Sequence, residues 1–531
     1  MTFHMKSRVS HIILFLVIVL TLPNTCYGQF FTSAQAPDPT VFLPATIDDE
    51  NNPHWARDMY RHFQSKSLRD SAYVNDIKLA TYDYRSTNET ALQNYYSNNH
   101  VKFYEPAFGI EVSSSVNKDL FLFLDSCRRS SNLMIKKIPN SWNRLRPCVR
   151  LREACFGMYR PSNYYAANYA QTPSYSFPSH FGTAGWLTGM VMSCINPWHA
   201  DTILTRAYQF GWYNILSGGA WSSDVDVTRQ LGTVVFAQLM SIPRFRSRLV
   251  VMRQKTSQLL NIDRSSATID QLLSNDTLTH KLSALIPAIQ GESDGNFQSD
   301  LSRYLALSPL RDSLAANDLL GASYMDIENP MDAFQPIIPL AISPEFTPNI
   351  YELLSLVESC CDVLCEQVKS QTPSRRRPFD VFNTAPFTLE DPSELRQLNS
   401  YPSMHASKGI ATAIALSMIV PERRDTLLQA GYQYGLNRVI CGTNWHSDIE
   451  AGRDVGCMAV SLVASGSDFI DLLERAQNEY RLIQDVIITD TPSIEADPSH
   501  TEQPLFTIDG RRATPQSRGV LVGRGKKIVK P

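Results

Sequence analysis

The segment HASKGIATAIALSMIV, from His405 to Val420, places small or apolar residues on nearly every helical face. A helix with no polar side to offer water is expected inside a bundle of other helices. Directly after it, VPERRDTLLQAGYQYG sets a proline before an amphipathic run that closes near a glycine, as helix start and stop signals do. The pair has earlier counterparts in HFGTAGWLTGMVMSCI and NPWHADTILTRAYQFG. Strand-like β-branched alternation is scarce until the far C-terminus, so the pattern predicts an all-α protein.

The counterparts lie in register. FPSHF from Phe177 aligns with YPSMH from Tyr401, and WYNILSGGAWSSDVDVTRQLG from Trp212 aligns with LNRVICGTNWHSDIEAGRDVG from Leu436. Pro178 matches Pro402, Gly211 matches Gly435, Trp221 matches Trp445, Asp224 matches Asp448 and Arg229 matches Arg453, always 224 residues apart. Upstream, Arg146–Pro147 matches Arg377–Pro378 at a separation of 231, so the loop between differs by seven residues. A constant offset reads as a tandem duplication. Two helical-bundle domains are expected, 40–255 and 265–485.

The flanks differ in character. Lys6 and Arg8 precede an apolar run from Ile12 to Leu22, then Pro23 and small residues, which reads as a signal peptide over 1–28. Export is expected, to the periplasm, the outer surface or the medium. Elsewhere Ile410–Val420 comes nearest to a membrane span and is too short, so no transmembrane span is expected. Residues 486–504 are polar, acidic and proline-containing, as a linker would be. Residues 505–531 carry short β-type runs between glycines, with basic residues from Arg511 to Lys530. Composition alone gives a solvated basic tail. The segment also resembles the C-terminal tails of secreted Bacteroidota proteins, which implies sorting or surface attachment through secretion machinery.

Charge and cysteine usage narrow the chemistry. The chain has 531 residues and a net charge of -3, so no positive field invites a nucleic acid. Of the ten cysteines, Cys360, Cys361 and Cys365 share one predicted helix. Cys361 and Cys365 lie on one face with no second ligand pair, which favours buried or paired cysteines over zinc. No metal or cofactor is expected.

Polar clusters in the second repeat point to an oxyanion. Lys369 and Arg375–Arg377 come first, then Ser403 and His405, then Arg438, and finally Asp448. Guanidinium forks fit phosphate oxygens bidentately, helix N-termini present free amides, and a histidine among them can protonate a leaving oxygen. Together these residues resemble the class A bacterial non-specific acid phosphatases of the type 2 phosphatidic acid phosphatase and haloperoxidase superfamily. The likeness runs from about Lys369 to Tyr480.

That resemblance implies roles residue by residue. Lys369, with Arg376 by spacing or Arg377 by its place before Pro378, would bind phosphate along with Ser403 and Arg438. His405 would be the general acid, with Met404 in place of a glycine and Asn437 in place of a serine. Asp448 would orient the nucleophilic histidine, but Asn444 stands in that histidine's position. An amide nitrogen has no lone pair to attack phosphorus. His446 is two residues on, which is about 200° around a helix, so it reaches the same pocket only if the segment is looped. In the first repeat Asn214 replaces the arginine, Ala220 the nucleophile, Phe181 the acid and His180 the glycine, leaving Asp224 without a partner. A structural role is expected there, as a stand-in for the second subunit of a dimer. The implied ligand is phosphate or a small phosphomonoester. Two readings stay open: an exported phosphomonoesterase, or a non-catalytic phosphate-binding surface protein. A vanadium haloperoxidase would also need the missing histidine.

Overall fold

The computed structural model describes residues 28–43, 54–55, 57–64, 100–139, 142, 144–151, 176–216, 218–261, 267–289, 295–316, 329–338, 340–388, 390–489, 506–507, 519–523 and 526–530. Of the expected signal peptide only Gly28 falls among them, and of the expected linker only 486–489.

The protein is mostly helical. A first set comprises α1 Lys118–Ile135, α2 His180–Ile195, α3 Ala200–Leu216, α4 Ser222–Met240 and α5 Pro243–Leu260. A second comprises α6 Gly295–Ala306, α7 Pro348–Gln371, α8 Met404–Ile419, α9 Arg424–Ile440, α10 His446–Ser465 and α11 Phe469–Thr489. Helices α2, α3 and α4 each start 224 residues before α8, α9 and α10. Residues up to Tyr480 belong to one compact unit, which holds both sets apart from the end of α11; residues from Arg481 on form another.

The apolar pattern explains the layering. Helices α2 and α8 are buried along almost their whole length, as their all-round small and apolar faces require. Each forms a tight hairpin with its successor, α3 or α9, through a proline-led 3-10 turn. Helix α10 crosses the start of α8 closely: a Cβ added at Gly452 would lie 2.3 Å from the Ser403 carbonyl oxygen. That glycine lets the residues ahead of α10 come up against the first turn of α8. The two sets meet through α4 and α10, where Arg229 reaches Asp454 at 2.5 Å.

In the unit from Arg481 on, β1 Phe506–Thr507, β2 Gly519–Gly523 and β3 Lys526–Lys530 pair antiparallel in sequence order. Among the described residues, no single helix is long and apolar enough to cross a membrane. Cys360, Cys361 and Cys365 are buried free thiols on α7, and burial pushes Cys365 up to about 12. Cys148 is disulfide-bonded.

Candidate functional site

The site is built where the N-terminus of α8, the C-terminus of α9 and the loop before Pro378 converge. Ser403 caps α8, accepting the amide hydrogen of Ala406 at 3.3 Å, and its own backbone N–H donates to the Asp448 carbonyl at 2.9 Å. The cap sets His405 in the first turn, where its ring stacks on Tyr434 with centroids 5.9 Å apart. Burial first, then the charges of Arg438, Arg377, Lys408 and Lys369, hold His405 well below the usual histidine range. Those four cations come from four elements: Lys369 from α7, Arg377 from the loop before Pro378, Lys408 from α8 and Arg438 from α9.

The loop before Pro378 resolves which arginine faces inward. A residue preceding proline is held extended, and Arg377 has φ −78° and ψ 157°. Extended chain turns successive side chains to opposite sides, and Arg375 and Arg377 are buried while Arg376 is exposed. The indole N–H of Trp445 pins the loop by donating to the Arg376 carbonyl at 2.8 Å. Arg377 donates to the carbonyls of Leu395 and Thr443, both at 2.8 Å. Burial pushes it down to about 10, with the Arg438 charge adding to the effect.

Arg438, 2% exposed near the end of α9, forms an ion pair with the Glu390 carboxylate. A turn then reverses the chain: Gly442 sits at φ +80°, a left-handed conformation that glycine adopts without strain. The amides of Thr443 and Asn444 fold back onto the Arg438 carbonyl at 3.0 and 3.2 Å. This delivers the buried Asn444 side chain, which donates to the Ser400 carbonyl at 3.0 Å and approaches Asp448 at 3.4 Å.

Asp448 is held by other groups as well. One of its oxygens accepts the Trp445 amide at 2.8 Å and the other accepts Arg375 at 2.7 Å. Arg375 also grips Asp300 at 2.5 Å, and Asp300 takes the Ser447 amide at 2.8 Å. The first set repeats this cluster. Arg144 bridges Asp224 at 3.1 Å and Asp58 at 2.8 Å, and Asp58 takes the Ser223 amide at 2.8 Å. The expectation that Asp224 lacks a partner is therefore corrected: Arg144 is its partner, and it caps the Trp221 amide at 2.9 Å.

His446 opens α10 and faces elsewhere. After burial, the charges acting on it come from Arg303, Glu450, Arg453 and His54, none of which is among the cations around His405. Glu450 is itself paired with Arg57 and, at 2.8 Å, with Arg303. The helical geometry thus separates His446 from the Arg377–Arg438 group. In the first set, Asn214 occupies the place of Arg438 and donates to Ser179 at 3.0 Å.

Sequence reading missed Glu390, Lys408 and the carboxylates Asp58 and Asp300. A signal for the last two exists: WARDMYRH from Trp55 matches FQSDLSRY from Phe297 at a separation of 242. Trp55 and His62 pack on Trp221 as Phe297 and Tyr304 pack on Trp445.

Comparison with known proteins adds family context. Residues 359–469 match the model of the PAP2 superfamily. The chain is 35% identical to a non-specific acid phosphatase of Providencia stuartii over 150 residues, which are 28% of this chain and 60% of that protein. It is 29% identical to a non-specific acid phosphatase of Salmonella typhimurium over 194 residues, 36% of this chain and 78% of that one. An acid phosphatase of Zymomonas mobilis is 31% identical over 106 residues, 20% of this chain and 40% of that one.

Proposed function

We propose, for a phosphatase-family chain that carries a PAP2 superfamily domain, that the second helical set binds phosphate or a small phosphomonoester without forming a phosphoryl-enzyme intermediate. The observation that carries this reading is the pairing of two buried arginines, Arg377 and Arg438, around His405, with Asn444 in the nucleophile's position. Two guanidinium groups drawn together in low dielectric favour an anion between them. The Asn444 amide is already engaged with Ser400 and Asp448 and has no lone pair for phosphorus. His446 is turned toward Glu450 and Arg303, which argues against its replacing the nucleophile.

His405 supports a second reading, slow hydrolysis by water with His405 protonating the leaving oxygen. Burial, and after it the surrounding cations, keep it neutral in the free protein, whereas a bound dianion favours its protonated form. Both readings share the binding site and exclude a covalent step.

The first set would then be a packing partner, derived by duplication, that fills the place of a second subunit. Its Arg144–Asp224 cluster preserves the buttress, while Asn214 and Ala220 abandon the anion site. With Lys6, Arg8 and the apolar run beyond them, this reading places the protein outside the cytoplasm, with the basic tail as its attachment element.

Pre-steady-state release of p-nitrophenol from p-nitrophenyl phosphate tests the proposal. No burst is expected, whether or not slow steady-state turnover follows. A burst stoichiometric with protein would overturn it.

A further inference from the structure

We infer that a cavity of about 400 Å³ in the first helical set is a second ligand site, which takes a small organic anion built on a flat apolar ring, such as an aromatic carboxylate. It is separate from the phosphate site and does not depend on that reading. Its walls are α3, α4, the helical stretch 57–64 and residues 284–287. Tyr208, Trp212 and Ile215 follow one another at four and three residues on α3, so one helix face carries all three to the cavity. Trp212 packs on Ile215 and Val225, which sets an aromatic plane in the wall. Leu285 and Pro287 add aliphatic surface opposite the helices.

The polar groups decide the sign of the ligand. Asp226 is the carboxylate of the lining, and guanidinium groups already take both its oxygens. Arg229 meets Oδ1 at 2.8 Å, Arg61 meets Oδ2 at 3.1 Å, and Arg57 stands 3.7 Å from Oδ2. A cationic ligand therefore finds no open carboxylate there. Arg61 is 24% exposed, and Asp226 is its one ion-pair partner among the described residues, which leaves most of its N–H fork for an anion. Nε of the buried Arg229, also in the lining, has no hydrogen-bond partner among the described residues. Guanidinium donors beside an aromatic and aliphatic wall fit a ring that carries a carboxylate.

The second set is arranged differently at the matching positions. Leu436 replaces Trp212 and packs into the cluster of Tyr304 and Trp445. Arg453, the counterpart of Arg229, lies 3.4 Å over the Tyr432 ring and donates to the Tyr432 carbonyl. Glu450, the counterpart of Asp226, is closed over by Arg57 and Arg303. The aromatic wall and the open arginine fork thus belong to the first set.

Calorimetric titration of the full chain with naphthylacetate and with neutral naphthylacetamide tests this, using wild type, Arg61→Gln and Ala284→Trp. Ala284 is an exposed residue of the cavity wall, so a tryptophan there fills the space without entering the core. Wild type should bind the carboxylate at least about tenfold more tightly than the amide, the worth of one charge-assisted contact. Arg61→Gln should erase that difference and leave amide binding within about twofold. Ala284→Trp should weaken both ligands at least about tenfold. Saturating inorganic phosphate should leave naphthylacetate affinity unchanged, because the phosphate site lies in the other set. No binding of naphthylacetate to wild type, equal affinity for the two ligands, or unchanged binding in either variant would overturn the inference. Displacement by phosphate would overturn it too, and in every case the phosphate site would stand.

Discussion

Nη1 of Arg375 donates to Oδ1 of Asp448 at 2.7 Å, deep within the second helical set. The carboxylate that a nucleophilic histidine would lean on is thus also the partner of a buried guanidinium. Arg144 and Asp224 stand in the same relation at 3.1 Å in the first set, where Asn214 takes the place of Arg438. Persistence of Asp448 therefore has a packing cause, independent of catalysis.

Arg375→Ala would leave Asp448 and Asp300 buried without their cation. Removing one partner of a buried pair costs about 3–5 kcal/mol, and urea unfolding should register a loss of that size. Arg144→Ala should behave alike, since Arg144 serves Asp224 and Asp58 in the same way. A loss under about 1 kcal/mol, the level of a surface pair, would contradict this account of the cluster.

Glu390 is the carboxylate paired with Arg438, so a phosphate must displace it or share the guanidinium. Glu390→Gln removes that competing charge. Phosphate affinity should rise about three- to tenfold, in line with loss of one charged competitor. Unchanged or weaker binding would show that Glu390 does not compete for the arginine.

His405 gives the pH dependence its sign. Its folded value lies well below the ordinary one because of burial and the cations Arg438, Arg377, Lys408 and Lys369. Below about pH 6.5 the unfolded chain takes up a proton that the folded chain refuses, so stability is full above that pH and is lost as the pH drops. Between about pH 7 and 5 the wild type should lose on the order of 1 kcal/mol relative to His405→Asn. Saturating phosphate should shrink that difference, because an adjacent anion favours the imidazolium. Parallel denaturation curves at both pH values would contradict it.

Asn444→His puts an imidazole at a position whose side chain already lies within 3.4 Å of the Asp448 carboxylate. A burst of p-nitrophenol should appear in this variant and stay absent in wild type. Absence of a burst in a folded, phosphate-binding variant would mean that the pocket no longer accepts a nucleophile there.

Much of this was legible in the chain, for reasons that also explain the gaps. The all-round apolar pattern of His405–Val420 specifies a central helix without any tertiary knowledge, and α8 spans Met404–Ile419. The offset of 224 residues reappears in the starts of three helix pairs. Motif spacing left Arg376 and Arg377 equivalent, whereas the extended conformation before Pro378 turns only Arg377 inward. The long-range pairs were hidden. Asp300 meets Arg375 across 75 residues and Asp58 meets Arg144 across 86, with only an aspartate, an arginine and two aromatic positions marking the relationship. Glu390 was illegible because its importance comes from the arginine it faces, not from any local pattern.

Calorimetric titration of inorganic phosphate into wild type and Arg438→Ala tests the central claim most directly. The account predicts saturable one-to-one binding in wild type, weakened at least about tenfold, the worth of one bidentate contact, in the variant. No binding in wild type, or equal affinity in Arg438→Ala, would contradict it.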